Sequence, residues 1–197
     1  MNKNNPPRLA PPGAGLPLPE LLVARCLLAL SRLTTTREAA TAYFEKERLA
    51  IRPLVETCNE EIGSRRALIS RPRGLEDSSR FWSVWMTLDH LRIVNHVFAR
   101  CITSLSAGVV PEGRASTAEV KPLAEVDGRI LAEYESSCDA LLSAVTAAPQ
   151  WRTEVKFAHP WFGPMDASAW HILSGRHMRI HRVQIERILE GQSGNKA

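Results

Sequence analysis

Four long stretches of this chain repeat their apolar residues every three to four positions, and none sustains the alternation of a strand. That period is the signature of amphipathic helices, and it predicts an all-α protein. The first stretch, 37–62, carries Tyr43, Ile51, Leu54, Val55 and Cys58 on one stripe, with Pro53 expected to kink it. The second starts from a Ser78 or Ser79 cap and runs through Phe81, Trp85, Leu88, His90, Val94, Val97 and Cys101. The third, 121–145, has Pro122 in its first turn and Leu123, Val126, Ile130, Tyr134, Cys138 and Leu141 along its face. The fourth is capped by Asp166, ends at Leu189 and is stopped by Gly191. A shorter helix at 20–33 precedes them. Residues 63–77 and 107–117 read as loops, and 151–157 as a short extended segment. The expected architecture is a four-helix bundle with an extra short N-terminal helix.

Residues 1–19 contain six prolines and read as a flexible arm. The helical-bundle domain is expected over 20–191, with a disordered tail at 192–197. The chain of 197 residues is 44% hydrophobic and 23% charged, a globular composition long enough to bury a core without staples. Its net charge of +4 is a weak footprint for nucleic acid. No strand–helix alternation or glycine-rich phosphate loop occurs, which excludes the usual nucleotide-binding folds. Cys26, Cys58, Cys101 and Cys138 are widely separated and form no CxxC pair, so neither a zinc knuckle nor a redox dithiol is readable. The run 21–30 is apolar but contains Arg25 and follows Glu20, which suits a soluble helix better than an export signal. No apolar stretch approaches a bilayer span. The expected location is cytoplasmic, with reduced thiols and no membrane partner.

The histidines carry the chemistry. His177 and His181 are one helical turn apart, offset by only about 40°, so two imidazoles can converge on one ion. Trp170, Leu173 and Ile188 share their stripe, which turns both rings toward the bundle interior. His90 lies on the inward stripe of Met86, Val94, Val97 and Cys101. His96 and His171 stand six residues from these rings, far around their helices, and read as surface or structural groups. His159, in a His-Pro loop, reads as a loop anchor near the start of the last helix. A single inward histidine is usually a satisfied core residue. Three on two helices each need a partner, and one metal ion would serve all of them. The His-Met-Arg-Ile-His segment lacks the glutamate of a zinc-protease motif, which removes that reading.

Two segments resemble a known family. Phe81-Trp82-Ser83 followed by His90-Leu91, and His159-Pro160-Trp161-Phe162-Gly163-Pro164 followed by Trp170 and His177-x3-His181-x2-Gln184-Ile185, are similar to the second-helix and last-helix signatures of the DinB/YfiT-like proteins. The resemblance implies an up-down-down-up four-helix bundle, often a homodimer, with a divalent ion (zinc, nickel or iron) held by three histidines. By position those are His90, His177 and His181. Characterised members include transferases of low-molecular-weight thiols and a thiol-dependent isomerase. The Pro-rich arm and the helix at 20–33 depart from the family pattern and bear on its usual dimer face.

The expected function is therefore that of a divalent-metal-dependent enzyme of the thiol-dependent transferase type, acting on a small molecule. Two alternatives stand beside it: a metal-free interaction bundle, and a DNA-associated protein suggested by Arg65, Arg66, Arg71 and Arg73, for which no recognition motif is present. Arg176, Arg179, Arg182 and Arg187 read as a solvated face, with Arg176 or Arg179 as the candidate anchor for an anionic cosubstrate. Gln184 is placed to hydrogen-bond a ligating ring. Trp82 is placed to wall the site, and Trp85 and Trp170 read as core. Asp89 points elsewhere, and no side chain stands out as a nucleophile.

Overall fold

The computed structural model describes residues 7–193. Its helices are α1 (Leu18–Thr34), α2 (Arg37–Glu56), α3 (Glu60–Ser64), α4 (Val84–Ser106), α5 (Ile130–Ala147) and α6 (Ala167–Ser193). Two small antiparallel hairpins interrupt them: β1 (Ala67–Leu68) with β2 (Phe81–Trp82), and β3 (Phe157–His159) with β4 (Gly163–Met165). The expected bundle is formed by α2, α4, α5 and α6, with α1 as the extra N-terminal helix.

Helix α6 packs against α2, α4 and α1, and α4 also packs along α5. Arg48 on α2 closes the ring by reaching Glu135 at 2.5 Å and Asp139 at 2.7 Å on α5. Phe44, Ile51, Leu88, Ile102, Tyr134, Leu141 and Ile185 meet in the centre without solvent contact. Each such side chain contributes about 1.5–3 kcal/mol by its removal from water. The approach of α2 to α6 depends on Gly175, where an added Cβ would stand 2.7 Å from the Tyr43 ring and 3.3 Å from the Phe44 nitrogen. That close approach is two residues before His177.

Several helix ends differ from the sequence reading, each for a physical reason. The stretch 37–62 is two helices, because α2 ends soon after Pro53 and the Asn59 side chain caps α3 by accepting from the Ile62 N–H at 2.9 Å. Helix α4 is capped by Ser83, which accepts from Met86 at 3.1 Å, and not by Ser78 or Ser79. Those two hydroxyls instead face Lys121, and Phe81–Trp82 is a strand paired to Ala67–Leu68. Helix α5 begins at Ile130 and not at residue 121. Tertiary bonds hold the segment before it in a loop: Leu123 N–H donates to Asp89 and Gly128 N–H to Glu60, both at 2.9 Å. Helix α6 continues past Gly191 to Ser193, and Gln192 within it donates to the carbonyls of Ile62 and Arg65. The tail read at 192–197 thus starts inside α6, and residues 194–197 lie outside the described residues.

Of the proline-rich arm, residues 1–6 lie outside the described residues. Residues 7–17 form neither helix nor strand but are tied down, with Ala10 N–H donating to Asp77 and those of Gly13 and Gly15 to Glu76. All four cysteines are free thiols. No helix among the described residues is long and apolar enough to cross a membrane.

Candidate metal centre

The Ser83 cap fixes the start of α4, and His90 follows two turns into it on the face toward α6. Across the gap α6 presents His177 and His181. Their Nε2 atoms converge: His177 Nε2 lies 3.1 Å from that of His90 and 3.1 Å from that of His181. One nitrogen from each ring falls within 4.8 Å of the others. His90 and His181 are buried, and His177 keeps some exposure, so the site faces solvent on its side.

Hydrogen bonds behind the rings settle which nitrogen carries the proton. His90 Nδ1 is 2.6 Å from the Val120 carbonyl, which can only accept, so Nδ1 holds the hydrogen and Nε2 the lone pair. Gln184 gives His181 the same orientation. Its amide nitrogen donates to the Ser79 carbonyl at 2.7 Å, which turns its oxygen toward His181 Nδ1, also at 2.7 Å. Two lone pairs are therefore aimed at His177 Nε2. A neutral His177 can donate to one of them only, and its own Nδ1 is buried with no partner among the described residues. No arrangement of protons pairs all three rings with partners among the described residues.

A divalent cation would serve all three. Zinc–nitrogen bonds of 2.0–2.1 Å place tetrahedral ligands about 3.3 Å apart, close to the spacing found here. The electrostatics agree with ligand behaviour. Burial, with Lys121 nearby, lowers His90 to about 4, and burial drives His177 and His181 well below the ordinary range. All three imidazoles are neutral at physiological pH, the form that binds metal. The residues present fit a divalent ion.

The comparisons with known proteins speak to the fold. No family model matches the chain, and no curated protein matches it. A solved structure does: TT2238, a four-helix bundle protein, with a TM-score of 0.55 and 20% identity, over 77% of this chain and 98% of that one. The chain is a four-helix bundle. That likeness in fold carries no activity with it.

Trp82, delivered by the β1–β2 hairpin, walls the site as expected. Its ring stacks on His181 at 6.2 Å and tilts against His90 at 5.2 Å. Phe98 stands edge-on to His177 at 5.7 Å and also packs on Trp170. His159 does not join the three. Its Nδ1 accepts from the Trp161 N–H at 3.0 Å and its ring rests against Phe162 and Trp170, so it anchors the loop. His96 is exposed. Asp89 is bound by Arg92 and Leu123 and faces away. His171, read as surface or structural, is fully buried and structural.

The arginines of α6 are not a solvated row. Arg176 bonds Ser31 of α1, Arg182 reaches Glu47 at 2.7 Å, and Arg187 donates to the Ser70 carbonyl. Arg179 is exposed. The cation beside the site is Lys121, which the sequence did not single out. Its ammonium lies 5.5 Å over the Trp82 ring while bonded to Glu76, Ser78 and Ser79. Pro122 was the available signal, since a residue before proline is steered out of the helical region. Burial raises the thiols of Cys101 to about 11 and Cys138 to about 12, which keeps them protonated and poor nucleophiles.

Proposed function

We propose that this protein binds a divalent metal ion through His90, His177 and His181, and that the ion activates a small-molecule ligand at an open coordination position. The observation that supports this most is the convergence of three Nε2 atoms, two of them held as lone-pair donors by Val120 and Gln184. Structural zinc sites usually fill four positions with protein ligands, often cysteine, whereas this cluster offers three histidines. The chain's own residues orient the rings, exclude water with Trp82 and Phe98, and leave the solvent side at His177. A bound zinc, nickel or iron ion would lower the pKa of a coordinated thiol or water to near neutrality.

The resemblance to DinB/YfiT-like proteins in the Trp82-Ser83/His90 and His177/His181/Gln184 signatures supports a metal-dependent transferase of low-molecular-weight thiols. A thiol sulfur suits zinc or nickel. Elemental analysis of protein purified without an affinity tag tests the metal: about one ion per chain is expected, and none in the triple alanine variant. Cobalt-substituted protein titrated with small thiols and with azide tests the open position. Visible bands that shift support it, and bands unmoved by every ligand would end the transferase reading.

A further inference from the structure

Helix α1 turns a largely apolar face to solvent, interrupted only by Thr34 at its last residue. Leu18, Leu22, Val23, Leu27, Leu30 and Leu33 are each between 48% and 78% exposed. The charged side chains of the helix are each bonded to another part of the chain, Arg25 while remaining exposed. Glu20 bonds Arg71, Arg25 donates to the Trp161 carbonyl at 2.6 Å, and Arg32 reaches Asp166 at 3.2 Å. At those exposures the six side chains offer roughly 700 Å² of apolar surface, above the 300–600 Å² of the largest patch on a typical monomer. A specific interface of standard size buries about 800 Å² per partner. The surface left bare is thus nearly the whole of what one half of a stable dimer requires.

We propose that this face of α1 packs against α1 of a second copy of the chain across a two-fold axis. Its geometry suits self-pairing. Cys26 is the midpoint of the 17-residue helix, and it lies about 80° into an apolar arc of about 180° that runs from Leu18 around to Leu27. A two-fold axis through the centre of the patch therefore passes beside Cys26, and an isologous contact brings the two Cys26 thiols together. A lipid surface is the less suitable occupant. Membrane-surface helices are rich in Lys and Arg on the polar face, whereas α1 has no lysine and only two arginines, each bonded within the protomer, and no aromatic residue to sit at a headgroup boundary. The inference stands independently of the metal, because no ligand residue lies on α1.

The full-length chain in reducing buffer should sediment at twice its 21.9 kDa mass. Replacing Leu22→Asp and Leu30→Asp together should return the mass to that of one chain, with helix content by circular dichroism unchanged. Mild copper–phenanthroline oxidation should join Cys26 to Cys26, giving a doubled band on a non-reducing gel that Cys26→Ser abolishes. A wild-type mass of 21.9 kDa at all concentrations would overturn the proposal. So would a dimer that survives the double substitution, or one that gives no Cys26 crosslink should the substituted chain fail to fold. Co-sedimentation of a monomer with phosphatidylcholine–phosphatidylserine vesicles would assign the face to lipid and overturn it likewise.

Discussion

Helix α6 carries two kinds of buried histidine within three turns. At its N-terminal end His171 is fully buried, and both its ring nitrogens have protein partners. Trp151 Nε1 donates to its Nδ1 at 3.0 Å, and its Nε2 lies 3.4 Å from the Thr41 hydroxyl. Farther along, His177 and His181 are neutral rings that face each other and His90 with more lone pairs than hydrogens. Burial and a lowered pKa are common to both places, so neither distinguishes them. The distinction lies in whether the surroundings complete the ring's hydrogen bonds. A histidine completed by its neighbours is packing, and a cluster left incomplete is asking for a cation.

Alanine substitution separates the two most widely. His177→Ala should reduce bound metal from about one ion per chain to below about a tenth, because two nitrogens remain to hold it. His171→Ala should leave metal content unchanged while lowering stability by about 2–4 kcal/mol, through the cavity and the orphaned Trp151 N–H. Elemental analysis alongside urea unfolding measures both. Equal metal loss in the two variants would erase the comparison.

The same contrast shows how far the sequence reaches. Spacing alone placed His90, His177 and His181 on facing stripes, because a helical period is a local property that packing does not alter. Spacing also put His171 on a different face, but it could not show that this face is covered as well. Helices α1, α2 and α4 all press on α6, so its N-terminal half has little solvated side. Arg176 was hidden for the same reason, through its bond to Ser31 on α1. The groups that orient the site were the least legible. Val120 offers a free carbonyl to His90 only because residues 120–129 are not helical, and long-range bonds from Asp89 and Glu60 keep them so. Bonds between residues far apart in sequence leave no periodic trace.

Acidification sharpens the comparison at an intermediate scale. Burial, with the Arg37 charge, lowers His171 to about 4. As pH falls through 6.5 the unfolded chain takes up a proton that the folded chain resists, so stability declines between about 6.5 and 4, by up to roughly 3 kcal/mol for this one group. His171→Gln should lessen the pH dependence of the urea midpoint between pH 7.5 and 5, the other buried histidines keeping the remainder. The metal-loaded protein should be more stable than the stripped protein at pH 7.5 and should keep that margin at pH 5. Burial holds His90 at about 4 and His177 and His181 well below the ordinary range, so protons do not yet compete for the ligands. Identical pH slopes in wild type and His171→Gln would show that His171 titrates as it does in water.

The smallest effects come from the residues one step behind each ring. Gln184 is fully buried, and its amide links the Ser79 carbonyl to His181 Nδ1, which leaves His181 Nε2 free to bind. Gln184→Leu fills similar space but removes that constraint, and metal affinity measured against a chromophoric chelator should fall 10–100-fold. Trp151 stands in the same relation to His171, donating to its Nδ1. Trp151→Phe deletes that donor while keeping most of the ring, so it should cost about 1 kcal/mol and leave metal affinity unchanged. The pair of variants asks whether a partner behind the ring has a different task at the two places. If Gln184→Leu lowers stability with no change in affinity, Gln184 only fills the interface between α6 and the Ser79 turn, and the orientation of His181 has another source.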